Sequence, residues 1–421
     1  MKNKKVVIIV LLIMLLFALG VLFFFSIGNP WFFEDEFSGE FSYKEKKFDS
    51  KDGILSSLKK VDDGYLAFFD TNIISDDVYT ADVKITKYDL NFKEEWNYNY
   101  NRQDELKKIN IHDEDYNTYI SDIREKNGLY YIIANLGNIE GKSNSSLLIF
   151  NKNGTLYKNK VFKNSFFDKI IDISNEVISL SESNFYYEYN INTEKLLTMK
   201  IEKNNKNKIE LIDKENSLYH AYSYINDYYS DEKFVVEGDN SFYLLNDKLK
   251  IIKKTNLDKI LKVKINNHRD IVYGDVKKIG DKFYLTYYTT FAMFDEADTN
   301  YNGLLILDND LNKIRNIKYD DFRIKNKIES IFDYYDYNKT LYVLSELKDD
   351  YIMIEKYDNN YKRISYDIIE LPGFDKFEDN YSMSEKKLLG FDNNGFSFYQ
   401  IFDNQDYDNP ISYLRIYYVK Y

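Results

Sequence analysis

The chain has 421 residues, 57 basic against 69 acidic side chains, a formal net charge of −12, three His, three Pro and no Cys. The missing Cys excludes disulfide scaffolds, thiol nucleophiles and zinc–thiolate sites. The acidic balance excludes a nucleic-acid surface, which needs clustered Lys and Arg to displace counterions. With 41 Tyr and 30 Phe, the chain holds too much strand- and core-forming material for a disordered acidic polymer.

Residues 6–27 (VVIIVLLIMLLFALGVLFFFSI) are an unbroken apolar run with no polar face. A helix of that length measures about 33 Å, enough to cross a hydrocarbon core of about 30 Å. Lys2, Lys4 and Lys5 precede it and Glu34, Asp35 and Glu36 follow, so the positive-inside bias puts the N-terminus in the cytoplasm. The rival is a cleaved signal peptide. Ser26 and Gly28 supply small residues at a workable separation, but the run exceeds the usual apolar region of about 7–15 residues. The expected organisation is a cytoplasmic tail 1–5, a transmembrane signal-anchor helix 6–27 and a juxtamembrane linker 28–39 with Trp31, Phe32 and Phe33 at the interface. An extracytoplasmic domain 40–421 follows, on a single-pass protein of a bacterial cell membrane.

Beyond Phe37 the chain reads as short strands separated by Asn, Asp, Gly and Lys turns, with no sustained helical period. Two units alternate. One is a turn followed by an aromatic-rich strand, at 62–70 (DDGYLAFFD), 126–135 (KNGLYYIIAN), 174–182 (SNEVISLSE), 214–223 (KENSLYHAYS), 279–288 (IGDKFYLTYY), 337–346 (YNKTLYVLSE) and 392–401 (DNNGFSFYQI). The other is an apolar residue, Asp or Asn, any residue, then usually Asn or Asp, at 88–91, 150–153, 189–192, 245–248, 307–310 and 357–360. Asn and Asp tolerate left-handed backbone angles and bond their own main chain, which suits tight hairpins. A strand, tight turn, strand, loop, strand, tight turn and strand in about 50 residues is a β-propeller blade. The pattern predicts an all-β fold, a seven-bladed β-propeller, with six or eight blades as the open alternatives. The last repeat stops before a fourth strand, and 40–48 (EFSYKEKKF) is a strand without an assigned partner. Residues 40–48 are therefore expected to pair with 411–419 and close the ring.

The segment Tyr88-Asp89-Leu90-Asn91-Phe92-Lys93-Glu94-Glu95-Trp96 resembles the blade motif of quinoprotein-like (PQQ-type) propellers. The resemblance covers one blade and implies the propeller class, without implying a quinone cofactor.

In such a fold the strand-two-to-three loops and the inter-blade connections open on one face and the tight turns on the other. The long insertions at 71–81, 136–145, 227–241, 290–302 and 403–410 should gather on the first. They carry a candidate ligand-binding face of Tyr79, Tyr228, Tyr229, Asp231 and Asp295, suited to stacking sugars or holding basic peptides. The alternative is a solvated acidic rim. Asp298, Asn300 and Asn302, followed by Gly303, copy the first half of a Ca²⁺ loop, whereas Ile306 and Asn309 fail its ninth and twelfth positions. The favoured reading is an ordinary Asn-Gly hairpin loop with no cofactor, and Ca²⁺ is the alternative. His112, His220 and His268 match no metal spacing, and no nucleophile elbow or phosphate loop is present. The expected role is a non-catalytic binding or scaffolding module for a cell-envelope protein or glycan. The alternative is a surface polysaccharide hydrolase or lyase with paired carboxylates at the channel mouth.

Overall fold

The computed structural model describes residues 39–74, 80–112, 115–138, 141–174, 176–182, 185–200, 208–213, 218–222, 241–245, 251–261, 269–291, 302–318, 328–347, 350–374, 381–384, 386–392, 395–404, 406 and 409–420. The apolar run 6–27 lies outside them. Among the described residues no helix is long and apolar enough to cross a membrane.

Strand β1 (Glu40–Phe48) is followed by six blades, each of four consecutive antiparallel strands. Blade 1 holds β2–β5 (Ile54–Val61, Gly64–Ile74, Thr80–Asp89, Glu94–Tyr100) and blade 2 β6–β9 (Tyr116–Lys126, Leu129–Asn138, Ser143–Asn151, Leu156–Lys163). Blade 3 holds β10–β13 (Lys169–Ser174, Val177–Glu182, Phe185–Asn190, Leu196–Lys200) and blade 4 β14–β17 (Lys208–Asp213, Leu218–Tyr222, Ser241–Leu245, Ile251–Asn256). Blade 5 holds β18–β21 (Arg269–Ile279, Lys282–Phe291, Asn302–Asp308, Lys313–Lys318) and blade 6 β22–β25 (Ile328–Tyr337, Thr340–Leu347, Tyr351–Tyr357, Arg363–Glu370). Two short helices, α1 (Arg102–Lys107) and α2 (Leu257–Leu261), sit in inter-blade connections.

The sequence pattern predicts seven blades; the structure corrects this to six four-stranded blades, and the last repeat forms a five-stranded closing sheet instead. In it β28 (Gly395–Asp403) pairs with β29 (Ser412–Lys420) on one side, and with both β26 (Ser382–Met383) and β27 (Lys387–Asp392) on the other. Its inner position is split because the chain breaks strand between β26 and β27. There the Ile401 backbone N–H donates to Ser384 Oγ (2.9 Å), and the buried Lys386 ammonium pairs with Glu346 of blade 6. On the outside β1 runs antiparallel to β29 from Glu40 opposite Lys420 to Phe48 opposite Ser412, with Tyr43 opposite Tyr417.

Apolar clusters glue successive sheets. Leu66, Phe68 and Ile85 of blade 1 pack with Tyr130, Ile132 and Phe150 of blade 2. Phe48, Leu414 and Ile416 of the closing sheet pack with Leu58 and Phe69 of blade 1, and Phe398 and Tyr417 pack with Ile352 and Ile354 of blade 6. A blade is thus covered on both faces, which explains why inner strands such as β7, β8 and β28 read as continuous buried runs while outer strands alternate.

Two irregularities repeat. Every innermost strand is bulged against the second strand, as between Leu55 and Ser57 in β2 and between Ile120 and Asp122 in β6. The added twist bends the inner strand along the channel wall. Outer strands β5, β9, β17, β21 and β25 are bulged at their second residue, directly after the tight turn.

Those turns explain the Asp/Asn spacing. Asp89 Oδ1 accepts the backbone N–H groups of Asn91 (2.8 Å) and Lys93 (2.9 Å), and Asp308 and Asp358 do the same for the residues two and four ahead. The left-handed residue is not the Asp or Asn but the one three places on, Phe92, Leu311 or Tyr361. The expectation that Asn and Asp supply the left-handed angle in these turns is therefore corrected. A bulky residue bears it because its side chain is driven inward: Phe92 stacks on Tyr65 at 4.9 Å, and Leu311 and Tyr361 are buried.

Candidate binding face

The connections between second and third strands, and those between blades, leave from one face. Tyr79, Tyr228, Tyr229, Asp231, Asp295, Asp298 and Asn300 lie outside the described residues. Asn302 begins β20, with its backbone opposite Tyr288. Gly303 makes no turn: it sits in the strand opposite Tyr287, whose ring occupies the place where a Cβ would be (2.4 Å). Three insertions are also shorter than the sequence suggests at their first ends, because 71–74 extend β3, 136–138 extend β7 and 290–291 extend β19.

Beneath this face lies a built polar floor. Asp82, at the start of β4, is 5% exposed, and its Oδ1 accepts from the Arg102 backbone N–H and Nη1 (both 2.9 Å). Its Oδ2 accepts from Asn72 Nδ2 (2.8 Å) and Asn101 Nδ2 (3.3 Å). Asn101 also caps α1, accepting from the Asp104 N–H (3.0 Å), so the helix start and the loop end are fixed together. Arg102 Nη2 donates to Thr80 Oγ1 (3.2 Å), and Asn117 Oδ1 receives the Ala81 N–H (2.9 Å). Arg102 Nε and Thr118 Oγ1 are buried without a partner among the described residues.

A second nest follows in blade 2. Asn135 Nδ2 donates to Phe167 O (2.8 Å), Ser145 Oγ donates to Asn135 Oδ1 (2.6 Å), and the Phe167 N–H donates to Ser145 Oγ (2.9 Å). Both nests latch an inter-blade connection to the second-to-third-strand edge. Their chemistry is positional: a neutralised ion pair, amides and hydroxyls, with no nucleophile beside a base.

The tight-turn face carries its own network. The fully buried Lys87 ammonium meets Asp63 (3.0 Å) and Glu95 (2.8 Å), Tyr130 OH donates to Asp63 (3.1 Å), and Lys152 bridges to Glu125 (2.7 Å). Burial alone would raise the Asp63 carboxyl, but hydrogen bonding and attraction to Lys87 outweigh it and hold it below the ordinary range. Hydrogen bonds from Lys158 and Lys160 pull Glu194 down to about 2. Asp89 and Asp308 are also lowered: turn backbone donors lead at Asp89, and at Asp308 they outweigh burial. These carboxylates are held ionised, the opposite of what a general acid requires.

No cluster of three or more metal-ligating side chains occurs among the described residues. His112 is exposed, the side chain of His220 is not described, and His268 lies outside the described residues. Trp96, which carries the quinoprotein resemblance, docks on the β8–β9 turn of the next blade: its indole N–H donates to Lys152 O (2.9 Å) and its ring covers Gly154. It is a packing contact between blades. Sequence reading assigned no role to Asp82, Lys87, Arg102 or Arg415. For Arg415 the signal available was a charged residue placed inside the otherwise apolar middle of strand β29.

No protein-family model matches this chain, and no curated protein matches it. Among solved structures, the β-propeller domain of Myceliophteria thermophila Cps50 (Swd1) is similar at TM-score 0.41 and 5% identity, covering 86% of this chain and 98% of that one. The AfRom2 CNH domain gives TM-score 0.41 and 10% identity, covering 91% and 99%. A mutant of Synechocystis apocarotenoid oxygenase gives 0.40 and 10%, covering 74% and 71%. Likenesses of this order bear no argument about function, and the propeller assignment stands on the chain's own sheets.

Proposed function

We propose that this protein is a membrane-anchored, extracytoplasmic β-propeller acting as a non-catalytic binding or scaffolding module. Residues 6–27 would be the single-pass anchor, and the face carrying Tyr79, Tyr228, Tyr229, Asp231 and Asp295 would meet a cell-envelope protein or glycan. The observation that carries the reading is the division between faces. The ring accepts the chain at Glu40, which pairs with Lys420 beside the tight turn before Gly395. The longer connections leave from the opposite side, above a rigid polar floor. The depressed carboxyls of Asp63 and Glu194 speak for ion pairs over acid catalysis.

The chain has no Cys, so single-Cys variants report one position each. In intact cells Asp231→Cys should react with an impermeant maleimide, and a photo-cross-linker at Tyr229 should capture an envelope component. Shielding of Asp231→Cys together with no adduct at Tyr229 would defeat the reading. No cofactor is expected at Asp298, Asn300 and Asn302; a parent that melts higher with Ca²⁺, the gain lost in Asp298→Ala, would assign an ion to that loop.

A further inference from the structure

Among the described residues, nine large apolar side chains are exposed, and six of them crowd one end of the outer strands: Leu90, Tyr157, Leu196, Leu197, Ile314 and Ile364. Leu90 lies in the turn after β4, and the others are first or second residues of β9, β13, β21 and β25. Tyr157, Ile314 and Ile364 are the extra residues of the outer-strand bulges, so the backbone turns them outward at the same register in blades 2, 5 and 6. Exposed basic residues flank them: Lys93, Lys195, Lys313, Arg315 and Lys362, while Arg363 pairs with the buried Glu355 (3.1 Å). The acids there keep their charge: Asp89, Asp308 and Asp358 accept within their own turns, Glu194 pairs with Lys158 and Lys160, and Glu94 and Asp310 are exposed. The rim therefore joins exposed apolar tips to exposed cations on a chain of net charge −12.

We propose that this tight-turn rim seats on the surface of an anionic lipid bilayer, apolar tips at the headgroup boundary and the Lys and Arg residues among the headgroups. The proposal rests on the reading of 6–27 as an anchor. Twelve residues, 28–39, separate that run from Glu40, and Glu40 enters the ring on the same tight-turn side. A strand from another protein is the poorer occupant, because a bulge at the second residue interrupts the edge pairing such a strand needs.

The full chain is reconstituted in vesicles of phosphatidylcholine with phosphatidylglycerol, and separately in phosphatidylcholine alone, with nitroxide lipids reporting depth. Fluorophores are placed singly through Tyr157→Cys, Ile314→Cys and Ile364→Cys, with Met383→Cys as a control on the opposite face and Leu16→Cys within the apolar run. The rim labels should be quenched at a depth of about 5–10 Å into the headgroup and acyl boundary in the anionic vesicles. They should be quenched less without phosphatidylglycerol, and Met383→Cys in neither. Unquenched rim labels with a quenched Leu16→Cys would overturn the seating and leave the anchor standing. An unquenched Leu16→Cys would remove the anchor. Rim labels shielded from a water-soluble quencher yet unreached by lipid nitroxides would mean a protein covers the rim, and would also overturn the proposal.

Discussion

Replacing Arg415 by Ala should open the ring at its seam. Arg415 lies in β29 opposite Glu45 of β1 and is 2% exposed. Its Nε donates to Glu45 Oε2 (2.8 Å), and Nη1 donates to the carbonyls of Pro372 (2.7 Å) and Gly373 (3.1 Å). The guanidinium also lies 5.0–5.3 Å from the ring centroids of Tyr43, Phe374 and Phe402. Removing one partner of a buried ion pair costs about 3–5 kcal/mol, and each desolvated cation–π contact adds about 0.5–2 kcal/mol. The sum is not additive, and the Glu45 side chain keeps 22% exposure, so water recovers part of its loss. A destabilisation of about 3–4 kcal/mol is expected for Arg415→Ala. Arg415→Lys keeps the charge, but a lone ammonium cannot serve Glu45 and two carbonyls in one plane, so about 1–2 kcal/mol is expected. Urea unfolding gives the total, and amide hydrogen exchange gives the location. β1 has one sheet neighbour and should exchange faster in the variant, well before β7 or β8. A loss below about 1 kcal/mol, or a β1 as protected as in the parent, would refute the staple.

Two glycines separate backbone strain from collision. Gly128 (φ +73°) has open space around a would-be Cβ, so Gly128→Ala should cost about 1 kcal/mol; Gly154 (φ +85°) would set a Cβ 2.5 Å from Trp96 Cγ, and Gly154→Ala should cost about 3 kcal/mol in thermal unfolding. Asp358→Ala strips the acceptor from the Asn360 and Lys362 N–H groups and should lose about 1 kcal/mol, while Asp358→Asn, which keeps an Oδ1, should lose a few tenths. Glu194 is lowered from 4.5 to about 2 in the fold, so its contribution is complete above pH 4.5 and fades as pH falls toward 2; its carboxyl carbon, followed by NMR, should still report carboxylate at pH 3.

The blade grammar was legible because it is local. A tight turn needs an acceptor at its first residue and N–H groups two and four places on, and that requirement writes Asp or Asn into the chain at a fixed spacing, as at Asp308 and Asp358. Closure was legible for a related reason: a final repeat short of one strand and an early strand without a partner. What periodicity could not supply was the bulges. An extra residue such as Tyr157 or Ile364 looks like ordinary strand sequence, since the two-residue period slips by one without changing composition. The split inner strand of the closing sheet escaped for the same cause, because Lys386 reads as a surface residue until Glu346 of blade 6 is placed beside it.

The polar floor was hidden more deeply, because its members meet only through tertiary packing. Asp82 and Arg102 are separated by a turn, a strand and a helix cap, and nothing at that spacing distinguishes them from other acid and base pairs of a charged chain. Arg415 and Glu45 are 370 residues apart, yet they were within reach of sequence reasoning. Once β1 is laid antiparallel on β29, the register puts those two directly opposite each other, on a seam that must resist opening. Topology had to come first there. Side chains acquire chemical meaning in this fold only after the strand order is known, and the same holds for the long-loop residues, whose neighbours are set by which connections the ring brings together and not by the words around them in the chain.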